Sequence, residues 1–143
     1  MSNTVRNAHY VCALIIRDGK ALLGRRAHFR ASYPSCWDFI GGKIEEGETP
    51  EEALKRELGE EIAISPLETS YFDKIEDTHL DSDASPVYHF FRVHQWDGGE
   101  PVINNHEHSD LEWFTLQQAA DLSNLALPGY RPLLEAAFKQ TAT

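Results

Sequence analysis

The sequence predicts a mixed α/β domain, and three observations carry that expectation. Asp18-Gly19 separates two apolar, β-prone runs, a strong short-range hairpin signal. Thr49-Pro50-x-Glu52 opens a strongly capped central helix. Further β-prone runs and turns follow that helix, so hairpins and crossovers both occur and an all-parallel sheet is disfavoured.

In chain order, Tyr10 to Ile16 (YVCALII) is the first strand and Ala21-Leu22-Leu23 its hairpin partner. Residues 24 to 36 (GRRAHFRASYPSC) are polar, basic and Pro-interrupted, and they read as a long loop. Trp37 to Ile40 is a short strand ending at Gly41-Gly42, where glycine serves either a positive φ or a close approach of backbone. The capped helix runs from Pro50 to about Ile62 and stops before Ser65-Pro66. Leu67 to Ile75 and Val87 to Trp96 are strands joined by the polar loop DTHLDSDASP, and Trp96-Asp97-Gly98-Gly99 turns the chain. Asn104 to Asp110 (NNHEHSD) is a loop with His106 and His108 at the surface, and Leu111 to Phe114 a short strand. Thr115-x-x-Gln118 caps a short helix over Gln117 to Leu122. Pro128-Gly129 precedes a last amphipathic helix from about Arg131 to Gln140, with Leu133, Leu134, Ala137 and Phe138 on one face. Trp37 and Trp113 are expected in the core.

A chain of 143 residues suits one domain, 1–143, with a real hydrophobic core. Its net charge of -10 argues against binding polymeric nucleic acid, which needs a basic surface. Small phosphate compounds are not excluded, because a divalent cation inverts the local sign of charge. Cys12 falls in an apolar run and Cys36 in a loop, with no CxxC pair, so neither a disulfide nor a zinc site is expected. The N-terminus lacks the apolar core of a signal peptide, and no run reaches membrane-spanning length. The expectation is a cytoplasmic protein with no membrane partner.

The most unusual stretch is GGKIEEGETPEEALKRELGEEIAI, residues 41 to 64, with eight glutamates against Lys43, Lys55 and Arg56. On a helical wheel Leu54, Leu58 and Ile62 form the apolar stripe. Glu57, Glu60 and Glu61 lie beside it as a patch, and Arg56 is four residues before Glu60. A solvated face with intrahelical ion pairs is the ordinary explanation for such a helix. Against it, one Lys and one Arg cannot neutralise three carboxylates at the edge of a core stripe. Oxygen ligands so clustered are what Mg²⁺ or Mn²⁺ prefers.

The spacing decides between the two. Gly42, five residues, Glu48, seven residues, then Arg56-Glu57-Leu58-x-Glu60-Glu61 resembles the Nudix box of the Nudix (MutT-like) hydrolases. One position departs: Ala63 stands where the family has its second glycine, before the aliphatic Ile64. The resemblance implies an α/β/α sandwich around a central mixed β-sheet. It implies a hydrolase that cleaves a diphosphate linked to another moiety, a pyrophosphatase needing magnesium or manganese. Glu57, Glu60 and Glu61 would face the metal, with the carbonyl of Gly42 as a further ligand. Arg56 would orient the glutamates, Glu48 would secure loop to helix, and Glu107 would serve as distal base or extra ligand.

For substrate, Arg25, Arg26 and Arg30 are placed to contact phosphates, and Phe29 or Tyr33 to stack on a base; a solvated loop explains them equally well. Asn104 and Asn105 suit a base edge or, more commonly, turn geometry. The approach WDFIGGKIEEGET is similar to that of MutT-like members acting on oxidised nucleoside triphosphates. The expected partner is therefore a nucleotide diphosphate compound, first of all a nucleoside triphosphate, with ADP-ribose or a nucleotide sugar as the alternative. A homodimer is compatible with the family. Two other readings are a diphosphate isomerase, which needs a modified box, and a non-catalytic nucleotide sensor, which should have lost box glutamates. The box here is intact.

Overall fold

The computed structural model describes residues 8–78 and 85–141. The N-terminal seven residues and most of the predicted DTHLDSDASP loop, residues 79–84, lie outside them.

The first apolar run becomes β1 (His9–Leu14), and it is the central strand of the molecule. Its alternate residues are buried on opposite faces: Val11 and Ala13 on one, Cys12 and Leu14 on the other. That pattern requires cover on both sides, which is why the run is continuously apolar rather than alternating. β1 pairs antiparallel with β5 (Ile40–Lys43) and parallel with β7 (Val87–Asp97), and β7 pairs antiparallel with β6 (Ser65–Glu76). The resulting mixed sheet has the order β5-β1-β7-β6.

A second, antiparallel sheet is built on the hairpin. β2 (Ile16–Arg17) and β3 (Lys20–Arg26) are joined by Asp18 and Gly19 at φ of 52° and 74°, the two left-handed residues of a type I′ turn. β3 also pairs with β4 (Trp37–Asp38) and β8 (His108–Phe114). Two loop expectations are corrected here. Gly24 to Arg26 continue β3, because β4 and β8 flank them and pair their backbone groups. His108 to Asp110 likewise belong to β8, paired with Arg25 and Arg26.

α1 (Pro50–Ile62) has the predicted capping box, with Thr49 N donating to Glu52 Oε1 at 2.9 Å and Glu52 N to Thr49 Oγ1 at 3.1 Å. Ala53, Leu54, Leu58 and Ile62 bury against Val11, Ala13, Ile15 and Phe91. On the opposite face, α3 (Tyr130–Thr141) buries Leu133, Leu134 and Ala137 against Cys12, Leu14 and Phe90. α2 (Leu116–Ala120), capped by Thr115 and Gln118 as predicted, packs with α3. The result is the expected α/β/α sandwich with two cores, one on each face of β1. Trp37 is in the core, whereas Trp113 is only partly buried, with Arg17 4.2 Å from its ring centre. No helix among the described residues is long and apolar enough to cross a membrane.

Candidate active site

Gly41 and Gly42 lie within β5, and neither has a positive φ. Close approach is their whole purpose, and each serves a different neighbour. A Cβ on Gly41 would fall 1.8 Å from the Val11 carbonyl oxygen of the paired strand. One on Gly42 would fall 2.3 Å from the Glu57 carboxyl carbon. β5 thus leaves a gap into which α1 projects a carboxylate.

Arg56 fixes that carboxylate. Its Nη1 donates to Glu57 Oε1 at 2.7 Å, while Nε and Nη2 make a fork on Glu48 at 2.8 and 2.9 Å. Nη2 also reaches the Lys43 carbonyl. One guanidinium therefore ties α1, the loop before it and the end of β5 together. It holds the partly buried Glu48 carboxyl down at about 2. Burial raises Glu57 above the usual carboxylate range, with Arg56 opposing.

Glu61, one turn on, is only 2% exposed, and neither of its buried carboxylate oxygens has a hydrogen-bond donor. Burial above all, reinforced by Glu107 and Glu57, pushes its carboxyl up to about 11. The chain approaches it from β8's side because the last turn of α1 is stitched there: Asn104 N donates to Glu61 O at 2.8 Å and Val102 N to Ile62 O at 3.2 Å. That satisfies carbonyls α1 would otherwise leave open and brings the Glu107 loop against Glu61. Asn104 and Asn105 serve this backbone geometry, Asn105 Oδ1 accepting from Glu107 N at 3.1 Å. Burial raises the Glu107 carboxyl, but contact with Glu61 and the Arg30 charge outweigh it, and the net shift is downward.

Glu57, Glu61, Glu107 and Gly42 share a cleft of about 330 Å³. Arg26, Arg30 and Tyr33 line it too; Arg25, Phe29, Arg56 and Glu60 do not. Arg25 donates to the Ser35 carbonyl, Phe29 is 65% exposed, and Glu60 turns outward toward Arg56 at 3.7 Å. Arg26 is occupied by Ser32 and, at 3.4 Å, by Asp38. Arg30 sits 3.4 Å from Glu107, yet its buried Nη1 has no hydrogen-bond acceptor.

Sequence reasoning did not find the other end of the cleft. Tyr10 and Tyr88, neighbours on β1 and β7, stack with ring centres 5.1 Å apart. Asp38 is buried beside them, its Oδ1 accepting from Tyr130 OH at 2.5 Å and Phe39 N at 2.7 Å. The one available signal was an acid placed between two aromatic strand residues, Trp37 and Phe39. His108 was expected at the surface and is instead 7% exposed, its Nδ1 3.7 Å from Glu61 Oε1. Burial holds its imidazole at about 4.

Among the described residues no three His, Cys, Asp or Glu side chains already form a closed coordination group. A divalent cation nevertheless fits the residues present. Two buried carboxyl oxygens on Glu61 lack hydrogen-bond partners, Glu57 and Glu107 are adjacent, and Gly42 leaves room for close approach. Hard oxygen donors of this kind suit Mg²⁺ with substrate oxygens and water completing its shell.

The chain is similar to known proteins in sequence and in fold. The chain is 34% identical over 128 residues to a CTP pyrophosphohydrolase of Escherichia coli K12, covering 88% of this chain and 87% of that protein. It is 43% identical over 79 residues to the 8-oxo-dGTP diphosphatase of the same strain, covering 55% and 57%. Its fold superposes on a MutT NUDIX hydrolase from Burkholderia pseudomallei with a TM-score of 0.79 at 28% identity, covering 92% and 98%. The NUDIX domain model matches residues 6–137, and the chain belongs to the Nudix (MutT-like) hydrolase family.

Proposed function

We propose that this protein is a Mg²⁺-dependent pyrophosphohydrolase converting a nucleoside triphosphate, ordinary or oxidised, to the monophosphate and pyrophosphate. One observation carries the proposal: a single cleft holds two buried acceptors without donors, on Glu61, and a buried donor without an acceptor, on Arg30. Unpaired buried polar groups are costly. A cation bound to a phosphate oxyanion satisfies both at once. The similarity to a CTP pyrophosphohydrolase and an 8-oxo-dGTP diphosphatase supports the nucleotide class.

A divalent cation, when bound, offsets the charge of the diphosphate oxygens and acidifies water. Glu57 and Glu61 would hold it, with the Gly42 backbone close by and Glu60 nearer the rim. Arg56 keeps Glu57 in one rotamer, and Arg30 faces the phosphate chain. A water oxygen forms the new bond to phosphorus, the bridging P–O bond breaks with its electron pair leaving on pyrophosphate, and the water proton passes to Glu107. The Arg30 guanidinium, 3.4 Å away, favours the ionised Glu107 that can accept that proton. The stacked Tyr10 and Tyr88 rings offer an aromatic surface for the base, with Asp38 and Arg26 beside its edge.

The test is a product assay with Mg²⁺ across ordinary and oxidised nucleoside triphosphates, ADP-ribose, a dinucleoside polyphosphate and a nucleotide sugar, with Glu61→Gln in parallel. Cleavage of a triphosphate to monophosphate and pyrophosphate, lost in most part by Glu61→Gln, is expected. Equal rates in both proteins would remove Glu61 from the mechanism. Exclusive cleavage of ADP-ribose or a nucleotide sugar would replace the substrate class.

A further inference from the structure

The burial of His108 is produced by an irregularity in strand pairing. Along β8, Phe114, Glu112 and Asp110 pair with Ala21, Leu23 and Arg25, and strict alternation would pair Ser109 with Arg26. Instead His108 pairs with Arg26, so Ser109 is an extra residue in a β-bulge. Without it His108 would share the face of Phe114 and point to the α3 core. With it, His108 takes the face of Leu111 and Trp113, which pack on the α1 side. Glu61 is on that side.

Two further features are built around the ring. Gly24, two residues along β3 from Arg26, has no Cβ, and one placed there would lie 2.7 Å from His108 Cδ2. Both partners are nearly inaccessible, the side chains of His108 and Glu61 being 5% and 1% exposed. A bulge, a glycine cradle and a short approach all direct one imidazole at a carboxylate that has no hydrogen-bond donor.

We propose that His108 is the positioning residue for Glu61, its Nδ1–H directed at Oε1 to hold the carboxylate in its cation-binding rotamer. The proposal rests on the reading that Glu61 holds the cation. The separation of 3.7 Å is longer than a hydrogen bond, and a small movement of either side chain closes it when Glu61 is ionised against a cation. A ring N–H offered to a ligating carboxylate fixes its orientation without competing for the metal, and losing such a group typically costs about 10–100-fold in metal affinity.

The experiment uses Mn²⁺ alone, its binding followed by the paramagnetic resonance of the free ion, in the parent, His108→Leu, His108→Asn and Glu61→Gln. Leu and Asn have nearly the same size, and Asn places an N–H where Nδ1 stood, so their difference reads the donor and not the packing. His108→Leu should bind Mn²⁺ about tenfold more weakly or worse, and His108→Asn should stay within about threefold of the parent. Equal affinities in the two His108 variants would overturn the proposal. Unchanged binding in Glu61→Gln would instead remove the reading beneath it. The parent supplies an independent check should a variant not fold. In saturating Mg²⁺ the ring nitrogen spectrum of His108 should show the proton on Nδ1, and a proton on Nε2 alone sinks the idea.

Discussion

At the residue scale, the paired glycines of β5 separate stability from function. Gly41→Ala drives a methyl into the Val11 backbone, which cannot give way, and should cost more than about 3 kcal/mol or prevent folding. Gly42→Ala meets first the carboxyl end of the Glu57 side chain, which can shift where backbone cannot. It should leave the thermal midpoint within a few degrees of the parent and abolish most of the Mg²⁺-dependent rate. Calorimetry and the product assay on both variants check this; equal behaviour would contradict it. Ala63 makes a second prediction. It closes α1 in the left-handed region at φ 58°, where the family has glycine. Ala63→Gly should stabilise the protein by about 1 kcal/mol, read as a higher denaturant midpoint. The sequence signalled this departure, because a helix end is a local feature. Its conformational cost needed the backbone angle.

At the element scale, α1 was legible almost to the residue, since capping box, proline and apolar stripe are all set by neighbours in sequence. The roles of Gly41 and Gly42 were half legible: glycine announced a close approach, but its neighbour came from another strand. β8 was read three residues short. Its start depends on the bulge at Ser109, and that depends on pairing with β3, over eighty positions away in the chain. A bulge leaves no periodic trace in so short a segment, which is why His108 was placed at the surface. The Arg56 clamp is an element-level device, joining helix, loop and strand through a planar fork. Arg56→Lys keeps the charge and loses the fork on Glu48. It should lower kcat about tenfold or more with a smaller effect on KM, measured by steady-state kinetics with saturating Mg²⁺. A change confined to KM would assign Arg56 to substrate contact.

At the scale of the whole molecule, burial of acid within an acidic protein links stability to both pH and cation. Glu61 titrates at about 11 in the fold, against an ordinary value near 4.5. A carboxyl raised in this way contributes its stability below about 4.5, and loses it progressively as pH rises toward the folded value. The metal-free protein should therefore melt at lower temperature as pH is raised from 5 to 9, and more steeply than Glu61→Gln. Mg²⁺ binds the ionised form, so its stabilising increment should grow over the same range. Thermal scans of both proteins with and without Mg²⁺ test the signs. The sandwich itself was legible as a class, from strands on both sides of one helix. Its strand order was not, because the parallel pairing of β1 with β7 joins segments far apart in sequence. The base-side end of the cleft, with Tyr10, Tyr88 and Asp38, depends on that pairing and stayed invisible for the same reason.

The pairing of β1 with two strands of very different chain position also orders events at the ribosome. β5 and α1 emerge soon after β1, so the box glutamates can gather while the chain is incomplete. Val87 to Asp97 follow only after the stretch from Lys43 has been synthesised, a delay on the order of seconds. Until then β1 has one bare edge, and Tyr10 has no Tyr88 beside it. A nascent chain stalled before Val87 should therefore carry the metal-binding half of the cleft and lack the surface that receives a base. It would have the means of hydrolysis in part, and no means of choosing what to hydrolyse.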